Sequence, residues 1–164
     1  MARSKGRFVQ PGHGRAGSIP DREIVDGSFV FKGGESMAVR IVQLGSPRAK
    51  DEGLRIGTVR RPPRGVPKSE FSSRNYYDVW LPNLAPSEEL FKAGRSAKDE
   101  TAWRSFIKRY RSEMNRPENS RVLDLLAALS HRVNFSVGCY CNDEQHCHRS
   151  VLRQLLAERG ARFA

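Results

Sequence analysis

Asn134-Phe135-Ser136-Val137-Gly138-Cys139-Tyr140 is followed by Cys141-Asn142-Asp143-Glu144-Gln145-His146-Cys147 and then His148-Arg149-Ser150-Val151-Leu152-Arg153-Gln154-Leu155-Leu156. The first run is short, apolar and rich in β-formers, which predicts a buried strand over 134–140. The last run puts Val151, Leu152, Leu155 and Leu156 on one helical face and stops at Gly160, which predicts a helix over 148–159. The polar segment between them is a loop. A buried strand that feeds through a loop into an amphipathic helix is the unit from which α/β layers are built.

Working outward, two more helices precede this unit. Thr101 to Asn115 sets Trp103, Phe106, Ile107, Tyr110 and Met114 at helical spacing. Pro117 to Ser130 does the same with Val122, Leu125, Leu126 and Leu129. Pro86-Ser87-Glu88-Glu89-Leu90 opens another helix, with Ser87 as cap and two glutamates at the positive end of the dipole. The first half is extended. Ser28–Phe31 and Met37–Leu44 read as two strands around a Gly33-Gly34 turn, and Leu54–Val59 as a third. Tyr76–Leu81 is a short extended piece. The expected fold is a single-domain α/β sandwich with a small mixed sheet flanked by helices. Residues 1–20 hold Arg3, Lys5, Arg7 and Arg15 without an acid, so 1–23 read as a basic flexible arm and 24–164 as the domain.

The 164 residues are enough for one ordinary domain with a real core. With 38% hydrophobic and 29% charged residues, the chain is not an intrinsically disordered composition. Lys and Arg number 29 against 18 Asp and Glu, and this excess of +11 points to anionic partners such as nucleotides or nucleic acid. No apolar run is long enough to span a membrane, and the N-terminus lacks the apolar centre of a secretory signal. A cytoplasmic protein without a membrane partner is therefore expected.

The three cysteines crowd into Cys139, Cys141 and Cys147, and an odd count in so short a stretch is no disulfide framework. Cys147 and His148 fall where the last helix begins, a place where amide N–H groups and the dipole favour thiolates and anions. Arg149 adds a fork for phosphate or carboxylate. Three readings compete: a substrate pocket, a zinc site, or small thiols that pack well beside a sheet. The spacing C-x-C-x5-C lacks the usual C-x2–4-C pairs, so no metal ligand and no cofactor is assigned, with zinc kept as the lesser option.

A second constellation is the arginine loop after the Leu54–Val59 strand, with Arg55, Arg60, Arg61, Arg64 and Lys68 set among prolines and glycines. Arginines at a strand end can converge on phosphate. Meeting the cysteine loop would make this a site; otherwise it is a solvated basic loop. Asp78 beside it could orient an arginine or act as a base, and Trp80 could form a rim. The aromatic stripe of the 101–115 helix reads as core. Its basic face, with Arg104, Lys108, Arg109 and Arg111, reads either as a solvated face or as a grip on a phosphate backbone. No P-loop, dinucleotide fingerprint or nucleophile elbow is present.

These blocks resemble the YeaO-like proteins, a domain of unknown function in bacteria and archaea. The resemblance covers residues 37–160. It runs through Arg55, Arg60, Pro63, Arg64 and Gly65; through Asp78, Trp80, Pro86, Ser87, Glu89 and Leu90; and through Phe106, Tyr110 and Glu113. One branch ends in a cysteine strand and a Cys-His-Arg helix start, matched by Cys139, Cys147, His148 and Arg149. The chain departs where that family usually carries an acid and a tryptophan, at the positions of Val59 and Pro62. The resemblance implies an α/β fold and no established reaction. The expectation is a pocket for a phosphate-bearing ligand, nucleotide or nucleic acid, lined by Arg55, Arg60 and Arg64 on one side and Cys139, Cys147, His148 and Arg149 on the other. Cys147, His148 and Asp78 are the candidate catalytic groups, and Trp80 joins the binding set. The alternative is a non-enzymatic nucleic-acid-binding accessory protein with a structural cysteine or zinc cluster.

Overall fold

The computed structural model describes residues 22–25, 28–31, 37–97 and 99–164, the first two segments by their backbone. Two compact units divide at Glu35–Ser36. The first contains strands β1 (Arg22–Val25) and β2 (Ser28–Phe31), paired antiparallel with Val25 opposite Ser28. Among the described residues Ser28–Phe31 takes Arg22–Val25 as its partner, where Met37–Leu44 was expected. The Gly33-Gly34 turn and the basic arm up to Asp21 lie outside the described residues.

The second unit is an α/β layer structure. Its sheet holds β3 (Val39–Gln43), β4 (Leu54–Gly57), β5 (Val79–Trp80) and β6 (Phe135–Cys139), in the order β3-β6-β4-β5. All pairings among these strands are parallel, so this sheet is not mixed. The reason lies in the position of β6. It is last in sequence but central in the sheet, and each of its residues is buried, as its unbroken β-rich run requires. Between β5 and β6 come helices α1 (Glu88–Arg95), α2 (Glu100–Met114) and α3 (Pro117–Leu129), and α4 (His148–Ala157) follows β6. No helix among the described residues is long and apolar enough to cross a membrane.

Local signals account for the helix starts. Ser87 accepts a hydrogen bond from the Leu90 N–H, and Asp99 from the Ala102 N–H at 2.8 Å. Pro117 opens α3, where its missing N–H is not needed. The aromatic stripe of α2 is core: Trp103, Phe106, Tyr110 and Met114 are buried together with Val39, Ile56, Phe135 and Val137 of the sheet. On α3 the buried stripe is Leu123, Leu126 and Ala127, while Leu125 is 58% exposed and Leu129 lies at the surface. Helical spacing alone admits both stripes, and packing against α4 selects one.

Among the described residues the opposite face of the sheet carries no α-helix and is covered by loops. There, Gly57 and Gly138 stand opposite each other in register. A β-carbon on Gly57 would lie 2.4 Å from the Tyr77 ring, and one on Gly138 would lie 2.6 Å from Leu44. The two glycines let those side chains seat on the sheet. Beside them Arg55 is wholly buried. Its Nη1 donates to the carbonyls of Ser46 and Asn75 at 2.8 and 2.7 Å, and its Nη2 to Pro47 and to Glu52 Oε2, the latter at 2.7 Å. Its Nε donates to Glu52 Oε1, which also accepts from the Ser136 hydroxyl of β6 at 2.6 Å. Burial pushes the Glu52 carboxyl up, but these donors and the Ala49 N–H outweigh it and hold the group ionised.

Asp78 has a related task at the start of β5. It accepts two hydrogen bonds from Arg48, one from the Ser72 hydroxyl, and one from the Arg55 backbone N–H at 2.8 Å. Partial burial raises its carboxyl, but the Arg48 guanidinium and the other donors dominate and bring it down to about 2. A carboxylate so committed is an anchor and a poor base at neutral pH.

Replacing Glu52 by Ala leaves the Arg55 charge buried and unpaired. We expect a loss of about 3–5 kcal/mol, read as a melting temperature lower by roughly 6–20 °C. Glu88→Gln, at the exposed partner of Arg61, should leave the melting temperature unchanged. Asp78 sets a pH dependence. Its folded value lies below the ordinary 3.8, so its contribution is complete above about pH 4 and disappears as pH falls towards 2. Urea unfolding should show Asp78→Asn less stable than wild type by about 2 kcal/mol at pH 7, with the gap closing below pH 3. A gap that does not change with pH would remove the anchor role.

Candidate functional site

The carboxyl ends of parallel strands leave a crevice where loops can gather around helix N-termini. Here the loops after β4 and β6 meet at that edge. The Thr58 N–H and hydroxyl both donate to the Gly138 carbonyl at 2.9 Å. The Tyr140 hydroxyl reaches the Arg61 carbonyl at 3.4 Å. The arginine loop and the cysteine loop, 80 residues apart at the Thr58–Gly138 contact, are thus neighbours.

At their junction lie three free thiols. Cys139 ends β6, Cys141 follows it, and Cys147 is the N-cap residue of α4. The Sγ atoms of Cys139 and Cys141 are 3.6 Å apart, and all three sulfurs lie within 4.8 Å of one another. This cluster is of a kind that can hold a metal ion. The sequence spacing C-x-C-x5-C gives no hint of that, because the loop 142–146 folds the third thiol back onto the first two. Cys139 and Cys147 are buried, while Cys141 is exposed.

His148 is buried against them. Its Nε2 lies 2.9 Å from the Thr58 carbonyl and 3.3 Å from the Thr58 hydroxyl, and its Nδ1 lies 3.7 Å from Cys147 Sγ. A carbonyl oxygen only accepts, so Nε2 carries a proton. In the neutral ring Nδ1 is then the acceptor and faces the thiol. The Tyr110 ring meets the imidazole edge-on at 5.7 Å. The pair has the form of a thiol beside a base whose tautomer is set by a third group. Contact among the three sulfurs divides their acidities: Cys139, with both other sulfurs beside it and itself buried, is raised. Cys141, beside Cys139 and near the Arg149 guanidinium, is lowered, and Cys147 is lowered too.

Arg149 completes the cluster. It is 2% exposed, and its Nη2 donates to the Cys141 carbonyl at 2.6 Å. Its Nε finds no partner, and no carboxylate pairs with it among the described residues. A buried guanidinium without a carboxylate calls for another anion, and the sulfurs beside it are the groups that can supply one. Cys147 does not cap α4 through its side chain, so the first-turn N–H groups are left to other acceptors.

The remaining expected residues separate. Arg55 has every donor engaged beneath the sheet and none to give a ligand. Arg60 donates to the Pro86 and Ala85 carbonyls and so ties the arginine loop to the start of α1. Asp78 belongs to the Arg48 anchor described above. Arg64 is exposed, with no ion pair or hydrogen bond among the described residues. Trp80 is 45% exposed and donates from Nε1 to the Val59 carbonyl at 2.7 Å, which places its ring at the root of the arginine loop. Sequence reasoning missed Thr58, whose carbonyl sets the His148 ring. Its only signal was its place directly after a strand. A separate cleft of about 320 Å³ runs along Gly94, Ala97, Asp99, Glu100, Trp103 and His146. Its two acids make it a poor seat for an anion.

A search of curated proteins and a search of solved structures each returned no match. The family model DUF488-N3a, described as the active DUF488-N3 subclade, matches residues 39–160, from the first residue of β3 to just past α4. This match spans most of the chain and includes every residue of the site. The protein therefore belongs to the DUF488-N3a subclade of the DUF488, or YeaO-like, family.

Proposed function

We propose that this protein is an enzyme that binds a phosphate-bearing substrate, a nucleotide or nucleic acid, at the carboxyl edge of β4 and β6. The observation that carries this reading is the meeting of the arginine loop with the cysteine loop, pinned through Thr58, Gly138, Tyr140 and Arg61. Phosphate would be held by Arg64 and Arg61 from one loop and by the first-turn N–H groups of α4 from the other. Arg61 meets Glu88 in an exposed ion pair that phosphate would displace. Trp80 offers an aromatic surface to a base. Reaction chemistry falls to the sulfur cluster with His148 beside it. The family description as an active subclade supports an enzyme over a passive binder.

The accessory-protein alternative needs a free basic surface. On α2, however, Arg104 pairs with Glu100, Arg109 with Glu89, and Arg111 with Glu158. These pairs blunt the helix face that would grip a phosphate backbone.

Titration calorimetry with AMP and with inorganic phosphate, and anisotropy with a short single-stranded oligonucleotide, test the reading. Arg64→Ala should weaken AMP binding about tenfold or more, since a charge-assisted hydrogen bond contributes about 1.5–3 kcal/mol. Its melting temperature should not move. The logarithm of AMP affinity should fall only shallowly with the logarithm of salt concentration, as one or two ionic contacts require. Oligonucleotide binding with a steep salt slope and no response to Arg64→Ala would favour the accessory protein. No affinity for any of the three probes would overturn the proposal.

A further inference from the structure

We infer that Cys139, Cys141 and Cys147 form a three-thiolate site for a divalent zinc-class ion, with a fourth coordination position open beside Cys141. The inference stands on the sulfur geometry and does not require the phosphate reading above. Zinc–thiolate bonds of about 2.3 Å in a tetrahedron place neighbouring sulfurs about 3.8 Å apart. The Cys139–Cys141 separation is 3.6 Å, and the whole trio falls within 4.8 Å. Adjustments of less than about 1 Å would close the tripod on one ion.

The three sulfurs arrive from different elements: a strand end, a loop and a helix cap. Cys139 and Cys147 are held by the core that also contains Leu44, Val59 and Tyr77. Two of the ligands are thus positioned by the fold before any ion binds. Cys141 is exposed, so it gives an ion both its entry path and its open face. Charge agrees as well. A divalent ion on three thiolates carries one net negative charge, and the adjacent buried Arg149 carries one positive charge with no carboxylate to meet it. Its Nη2 grips the Cys141 carbonyl, the kind of support that orients a ligand from behind. His148 is left out of the ligand set because the ligand atoms that gather within 4.8 Å of one another are the three sulfurs. Three protein ligands with one open position is the pattern of a reactive zinc site, whereas a purely structural site closes all four.

The test uses the full chain, tag-free, produced in zinc-supplemented medium and kept reduced. Elemental analysis by mass spectrometry should find about one zinc per chain. After the metal is removed, cobalt(II) should restore one equivalent with the intense visible bands of a tetrahedral complex and a sulfur-to-metal charge-transfer band in the near ultraviolet. Cys141→Ser alters an exposed side chain, so it should retain the far-ultraviolet dichroism of wild type while losing at least about tenfold in zinc affinity. Cys147→Ser should show the same loss, with thermal denaturation run alongside to report any damage to the buried core. Absence of zinc together with absence of the cobalt spectrum would overturn the site. So would a folded Cys141→Ser that binds zinc as wild type does. Inorganic phosphate and AMP titrations on the metal-free protein read the phosphate proposal separately, so either can fail alone.

Discussion

A single buried ion pair organises one whole side of this protein. Arg55 and Glu52 lie under the sheet face that has no helix to cover it. Loops must cover that face instead, and loops bring backbone carbonyls that need donors. Arg55 supplies them to Ser46, Pro47 and Asn75, while Glu52 draws Ser136 of β6 into the same network. One guanidinium thereby holds the β3–β4 loop, the approach to β5 and the two central strands in place. A lysine could not repeat this, because its point charge lacks the planar fork and the number of donors.

The site depends on that arrangement at one remove. With the loops secured below, β4 and β6 lie in register through Gly57 and Gly138, and their ends release the arginine and cysteine loops side by side. Tyr77 and Leu44 press onto the glycine pair and also belong to the small core that contains Cys139 and Cys147. The sulfurs are therefore set by packing as much as by their own loop. Arg149 and His148 then contribute what packing cannot: a buried positive charge next to sulfur, and an imidazole whose tautomer is fixed by the Thr58 carbonyl.

Residue by residue, the boundary between what was legible and what was not follows the range of the interactions. Ser87 as a cap, Pro117 at a helix start, the α2 stripe and the buried run Phe135–Cys139 are local statements, and they can be read from neighbours along the chain. The choice between Leu125 and Leu123 on α3 is not local, since either stripe is a valid helical face until α4 packs against one. The partner of Val39–Gln43 is likewise not local. A nearby strand looked sufficient, yet β6, about 96 residues later, pairs with it, because the backbone groups on both edges of a buried strand need partners.

The arginines make the same point for function. Composition established a basic chain with an arginine-rich loop and a cysteine-rich loop, and the motif blocks established the family. Which arginine is structural and which is free was decided by tertiary contacts alone: Arg55 and Arg60 found carbonyls and a carboxylate, whereas Arg64 found none. For the thiols, the one-dimensional spacing argued against a shared metal site, and the turn of the loop between strand and helix brought all three together. Sequence by itself determined the helices, the buried strand 135–139, the family and the place of the arginine and cysteine loops. The tertiary structure decided the partners, because hydrogen-bond saturation and sulfur–sulfur distance are properties of groups that meet only after the chain has crossed back on itself.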